Sequence, residues 1–434
     1  MAAAVSPEPA RAVTLLTCRF AATTAFVRNT DRTLPPLKTI QAALRTTSET
    51  LARELAQPST VLPDWSACEW RVARAVAVLH GISPLLSRGL RWSGPADWLG
   101  FLAEQRTHTL LRYQRILALL QAIDGKAREQ GVGFVALKGA ALHQMGLYAA
   151  GERPMADLDL LVAAGDAERM AGVLQAMRFV QTTATWKHRV FQDAAASTPA
   201  PFGEHAGNGI KIDLHVQIRE ILPLRPVELS PLILPSQPHP GLNRYRSQAA
   251  FMAHLLLHAA GAIALRTLRL VQLHDLALLS ARMSEADWAE LAGPIARDCG
   301  LWWAFSPLML LTRYYDPPAA RVVAAAAGDC RWPLRRASRQ RLLWQVSFSD
   351  LRRRAFPGIE WSRSAGEGLA YAAQRTHVSA RVLARTVLTG SVTSGLDGTA
   401  TGAGQRLPAR GWLALRPIRP ATLDAVRSAL AQPH

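Results

Sequence analysis

The sequence predicts an α+β protein: a small mixed-sheet core flanked by N-terminal and C-terminal helical regions. Three observations carry this. Apolar residues make up 49% of the 434 residues and charged residues 19%, which suits a large buried core and excludes a disordered chain. Stripes of helical period fill the stretches before residue 131 and after residue 240. Between them, runs of period two alternate with short helical runs. At about 150 residues per domain, the length suits two or three domains. Cys18, Cys68, Cys299 and Cys330 lie far apart with no CxxC. They read as reduced thiols, with no zinc site or disulfide framework.

Taken in order, residues 1–40 form a weakly patterned, flexible leader. Pro7, Glu8 and Pro9 come too early for a signal peptide, and the chain is expected in the cytoplasm. Residues 41–130 are helical. Trp70, Ala73, Ala77 and Leu79 share a stripe that Gly81 ends. Residues 97–130 form one long amphipathic helix, with Leu102, Leu110, Tyr113, Leu117, Leu120 and Ile123 on its apolar face. Gly125 weakens its last turns and Gly131 stops it.

The α/β core spans 131–235. Strands are expected at 132–137, 158–162, 179–183 and 188–191, with helices at 140–148 and 166–177. Across 210–218, Ile210, Ile212, Leu214, Val216 and Ile218 face one way and Lys211, Asp213, His215 and Gln217 the other. Six prolines between 223 and 240 mark a linker. Residues 236–388 read as a helical domain. An uncharged run of 19 residues between Arg246 and Arg266 carries His254 and His258, which favours a buried helix over a membrane span. Residues 389–434 form a flexible linker and tail, with one helix at Pro420–Ala431.

The chemistry concentrates in three places: Val135-Ala-Leu-Lys138-Gly139-Ala140, then Arg153-Pro-Met-Ala-Asp157-Leu-Asp159, then Ile212-Asp213-Leu214-His215. Carboxylates at i and i+2 on a strand share a face. Leucines at the alternate positions make that strand half-buried, so Asp157 and Asp159 repel each other at a cost of several kcal/mol unless neutralised. A divalent cation, Mg²⁺ or Mn²⁺, is the usual remedy. Asp213, on another alternating strand, can join them. Three such carboxylates suit phosphoryl transfer at two metals. The Gly139 turn suits a phosphate, because backbone N–H groups approach closely where no Cβ intervenes. Lys138, one of five lysines in a chain whose other basic residues are arginine, adds a charge there. Arg153 either contacts phosphate or pairs with the carboxylates. His215 either touches substrate or packs.

This order resembles the nucleotidyltransferase fold of the DNA polymerase β superfamily. More narrowly, LKGAAL, DLDLLV and IDLH are similar to the motifs of a bacterial nucleotidyltransferase family. The flanks resemble that family too, through Trp70 with His80-Gly81-Ile-Ser-Pro84, and through His254-Leu-Leu-Leu-His258 with Arg269 and Asp275. The likeness covers roughly residues 65–280. It implies Asp157 and Asp159 as metal ligands, Asp213 as a third ligand or hydroxyl activator, and Gly139 as the phosphate turn beside Lys138. The superfamily has Gly-Ser or Gly-Gly at that turn, whereas Ala140 follows Gly139 here and supplies no hydroxyl. The implied reaction moves an NMP from ATP or another NTP to a hydroxyl-bearing acceptor (small molecule, sugar, peptide or protein) and releases pyrophosphate. Arg269 and Asp275 are expected to brace helices against the core.

Two other classes compete. A DxD glycosyltransferase needs a Rossmann-like region before the motif, where this chain is helical. A degenerate nucleotidyltransferase fold would instead bind nucleic acid or protein through basic surface. The net charge of +18 invites that reading. Half of it lies in residues 331–385, where twelve arginines face three acids, interleaved with Trp332, Trp344, Phe348, Phe356 and Trp361. Such a pattern suits single strands. A solvated helical face with a packed aromatic side is the commoner outcome, so nucleic acid is not favoured.

Overall fold

Eight strands form among the residues described by the computed structural model, which are 34–185, 188–194, 202–350, 356–374 and 418–431. They are β1 (Gly133–Ala136), β2 (Asp157–Val162), β3 (Phe179–Ala184), β4 (Arg189–Asp193), β5 (Lys211–His215), β6 (Arg219–Leu222), β7 (Arg225–Glu228) and β8 (Gly241–Asn243). Six build one mixed sheet in the order β3-β4-β5-β2-β1-β8, and β6 and β7 pair separately as a hairpin. β2 runs parallel to β5 and antiparallel to β1, and β8 runs parallel to β1. The leader up to residue 33 and the Gly/Thr/Ser-rich stretch 389–404 lie outside the described residues.

Helices precede, interrupt and follow the sheet. They are α1 (Leu37–Ala56), α2 (Ala67–His80), α3 (Ser83–Gly89), α4 (Ala96–Glu129), α5 (Lys138–Gln144), α6 (Ala167–Ala176), α7 (Ser230–Ile233), α8 (Gln248–Leu265) and α9 (Leu270–Ser280). Further helices continue to residue 347, and Pro420–Ala431 closes the chain as a helix. α2 starts on a capping box between Ser66 and Glu69 and stops at Gly81, whose φ of 66° is left-handed.

One face of the sheet is apolar. Phe134, Leu158, Leu160, Val162, Phe191, Ile212 and Leu214 pack with Ile116, Leu120 and Ile123 of α4 and Met170 and Leu174 of α6. Period two therefore turns Asp157, Asp159, Lys211, Asp213 and His215 to the other face. Burial of these large side chains drives the pairing, and truncating one such as Phe134 costs about 3–5 kcal/mol.

Three expectations change. The proline-rich stretch is not a linker: β7, α7 and the approach to β8 lie in it, and β8 returns to extend the sheet beside β1. Pro223 starts the tight turn of the β6–β7 hairpin, where a missing N–H costs nothing. The strand expected over 210–218 is shorter: β5 covers only Lys211–His215, and the next strand, β6, starts at Arg219 in the hairpin. On α4, Leu117 is exposed while Gln105, Thr109 and Arg112 are buried. The buried stripe turns polar there: Gln105 Oε1 accepts from the Glu204 N–H, Arg112 donates to the carbonyls of Asn208 and Met155, and Thr109 donates back to the Gln105 carbonyl. The helix also runs unbroken through Gly125.

α8 is long and apolar enough to cross a membrane by length and composition, and 78% of it is buried inside the protein. It acts as the central support of the C-terminal helices, as the uncharged run leads one to expect.

Candidate active site

Register brings the carboxylates together. In the parallel β2–β5 pair, Asp157 lies opposite Lys211, Asp159 opposite Asp213, and Leu161 opposite His215. Neighbouring strands are about 4.8 Å apart, so three carboxylates share one small patch. Asp159 and Asp213 are each 5% exposed, and Asp157 is half-buried at the open edge.

Two lysines hold this patch together. Lys138 Nζ lies 2.8 Å from Asp159 Oδ1, and Lys211 Nζ lies 3.0 Å from Asp213 Oδ2 and 3.6 Å from Asp157 Oδ2. His215 Nε2 makes a further 2.9 Å bond to Asp159 Oδ1. Three carboxylates against two ammonium groups leave one negative charge. Burial alone would raise the Asp159 carboxyl, but Lys138 and His215 hold it well below the usual range. Asp157 moves the other way: burial raises it, and the Asp159 charge adds to this. The two carboxylates of the motif are thus held unequally: the neighbouring charges favour the anion at Asp159, and burial disfavours it at Asp157.

Lys138 reaches Asp159 from a left-handed backbone, with φ of 49°. A side chain in that conformation costs about 1–3 kcal/mol, which the buried ion pair offsets. Burial disfavours its charge, yet Asp159 and Asp157 raise its pKa overall. Gly139 follows at the start of α5. A Cβ there would collide with the Arg153 guanidinium and come within 3.0 Å of Met155 Cγ, so Gly139 is needed for packing against the loop that leads to the motif.

That loop is clamped from both helical regions. Arg153 Nη2 and Nε lie 2.7 and 2.8 Å from the two carboxylate oxygens of Asp275 on α9, a bidentate pair that Tyr148 Oη completes by donating at 2.7 Å. From α4, Arg112 donates to the carbonyl of Met155 at 3.1 Å and pairs with Glu204 at 3.1 Å. Arg153 therefore binds neither Asp157 nor Asp159 directly. It borders the site as a brace, and Asp275 is its anchor. Arg269 also lines the cleft, with Nε donating to the Leu79 carbonyl at 3.1 Å. A cavity of about 160 Å³ opens between Lys138, Gly139, Arg153, Asp157, His258 and Arg269. Lys138, Arg153 and Arg269 bring positive charge to this lining beside Asp157 and Asp159, among apolar neighbours such as Leu137, Met155 and Val271.

Several participants carried no sequence signal. Tyr245 bridges the Lys138 backbone, with N to Oη at 3.4 Å, and His254 Nδ1 at 2.8 Å. His188, just before β4, has its Nε2 3.7 Å from Asp213 Oδ2. His188, Asp213 and His215 bring potential ligand atoms within 4.8 Å of one another. Asp213 Oδ1 and His215 Nδ1 are buried without a partner.

A family model described as an uncharacterised nucleotidyltransferase matches residues 66–315, more than half of the chain. The chain belongs to this family. No curated protein and no solved structure matches it. The matched span begins at the cap of α2 and runs beyond α9, so the clamp residues Arg112, Arg153 and Asp275 fall within the family's extent together with the acidic patch. Membership supports a nucleotidyl-transfer role at the coarse level. The partnerless Asp213 oxygen and the half-exposed Asp157 fit a divalent cation on the nucleotidyltransferase patch, whereas Asp159 Oδ1 is already engaged twice.

Proposed function

We propose that this nucleotidyltransferase moves an NMP from an NTP to a hydroxyl-bearing acceptor with release of pyrophosphate, using Mg²⁺ or Mn²⁺. The register match of Asp157 and Asp159 on β2 with Asp213 on β5 carries the reading. A divalent cation held by these carboxylates would neutralise triphosphate charge and acidify the acceptor hydroxyl. The remaining work falls to the chain. Lys138 and Arg269 attract the phosphates in the cleft, and Gly139 lets the α5 turn approach them. The acceptor oxygen bonds to the α-phosphorus while the bond to the β-phosphate oxygen breaks. The acceptor proton passes to the Asp213 carboxylate as the new bond forms. His215 keeps Asp159 oriented, and Arg112 and Arg153 hold the loop ahead of Asp157.

The glycosyltransferase alternative has little support, since the segment before β1 folds as α1–α4 and not as a Rossmann-like unit. In the arginine-rich segment Phe348 and Trp361 are buried, which removes them from stacking, while Trp332 stays exposed beneath Arg336.

Incubation with each NTP, Mg²⁺ and an acceptor panel, read by mass spectrometry, tests the proposal. Wild type should give a product heavier by one NMP, and Asp157→Asn should give about 10²–10³-fold less of it. Unchanged NTP and acceptors across the panel, with no binding of metal or NTP, would defeat it.

A further inference from the structure

We infer that His188, Asp213 and His215 form a site for a divalent transition metal of the zinc–cobalt type, distinct in ligand chemistry from the all-carboxylate edge at Asp157. The inference deepens the reading above at Asp213 and rests on it only for that residue's place beside the reaction.

The strands build the site. β4 runs antiparallel to β5, with Arg189 opposite Leu214 and Val190 opposite Asp213. Continuing that register sets His188 against His215, and their ring centroids are 5.0 Å apart. Asp213 lies two residues from His215 on the same face of β5.

The hydrogen bonds favour metal over packing. Asp159 accepts from His215 Nε2–H at 2.9 Å. In the neutral ring that bond leaves Nδ1 as a lone pair, and Nδ1 is buried with no partner. A carboxylate behind a histidine is the usual outer support of a metal-bound imidazole. Lys211 occupies Asp213 Oδ2, and Oδ1 is buried with no partner. Each of these partnerless acceptors sits on a residue at least nine-tenths buried, in a cluster whose potential ligand atoms lie within 4.8 Å of one another, which suits a cation. His188, 21% exposed at its side chain, closes the set on the side open to solvent. Ligands at about 2.0–2.2 Å from a metal stand roughly 3.3 Å apart. The observed span of 4.8 Å or less thus closes with a small swing of the His188 ring. Two imidazoles and one carboxylate select borderline metals and disfavour Mg²⁺, which prefers oxygen and water.

Co²⁺ titration of the full-length, tag-free protein tests this by visible spectroscopy. One equivalent should bring up d–d bands of a low-symmetry nitrogen–oxygen site, and Zn²⁺ should bleach them. His188→Ala should weaken binding at least tenfold, whereas Asp157→Asn should bind as wild type does. A large excess of Mg²⁺ should leave the bands in place. X-ray absorption of the Zn²⁺-loaded wild type should show imidazole scattering, a readout that needs no variant to fold. Absent bands, a His188→Ala titration equal to wild type, displacement by equimolar Mg²⁺, or an edge without imidazole would each overturn the site. Mg²⁺-dependent NMP transfer surviving any of these would leave the proposed function standing. Cobalt binding without transfer would do the reverse.

Discussion

At Gly139, one methyl group would have to share space with the Arg153 guanidinium. Gly139→Ala is therefore expected to lower stability by about 1–3 kcal/mol through overpacking, measured as a shift in urea midpoint at constant slope. Asp157→Asn should behave oppositely. Its side chain is half-exposed, so folding should survive, while nucleotidyl transfer should fall by about 10²–10³-fold, the scale of losing one preorganised charge-stabilising group. Steady-state rates with thermal melts separate the two. The shared face of Asp157 and Asp159 was legible from period two alone, and the rarity of lysine pointed to Lys138. The sharing of Asp159 between Lys138 and His215 was not legible, because it depends on which strands are neighbours. His188 gave no sign, since it becomes a neighbour of His215 only when β4 pairs with β5.

Elements bring in effects that no single residue shows. His80, at the end of α2, accepts a hydrogen bond from the Leu270 N–H of α9 at 3.0 Å and so joins the two helices. Burial, with help from Arg269, lowers its pKa to about 3. Above pH 6.5 the ring is neutral in both the folded and the unfolded chain. Below that, only the unfolded chain takes up the proton, so stability is lost as pH falls toward 3, at about 1.4 kcal/mol per unit. At pH 5 the share of His80 is about 2 kcal/mol. His80→Asn keeps an acceptor for Leu270 and should flatten this part of the stability profile, measured by denaturation at pH 7 and pH 5. His143 and His274, each lowered to about 4 by burial, add a remaining slope of the same sign. The sequence showed α2 and its glycine stop clearly, but not the short β8. Three residues are too few to display a period, and the surrounding prolines suggested a linker.

For the whole molecule, the active patch depends on contacts from both helical regions. Arg153 and Asp275 are both almost fully buried, so Asp275→Asn leaves an uncompensated guanidinium and should cost about 3–5 kcal/mol. Calorimetry should show this as a lowered melting temperature of the whole chain. The bracing role expected of Asp275 from sequence takes a definite form here, since its partner is the loop that leads to Asp157. Within a chain of net charge +18, the patch stands out as a local acidic cluster, and the proposed reaction would bring an anionic substrate and a cation to it. The central claim is tested most directly by following label from NTP carrying it on the α- or the γ-phosphate, with Mg²⁺ and an acceptor. The α-label is expected to move onto the acceptor while the γ-label leaves in pyrophosphate. Transfer of γ-label to the acceptor, or release of nucleoside diphosphate and phosphate, would contradict it.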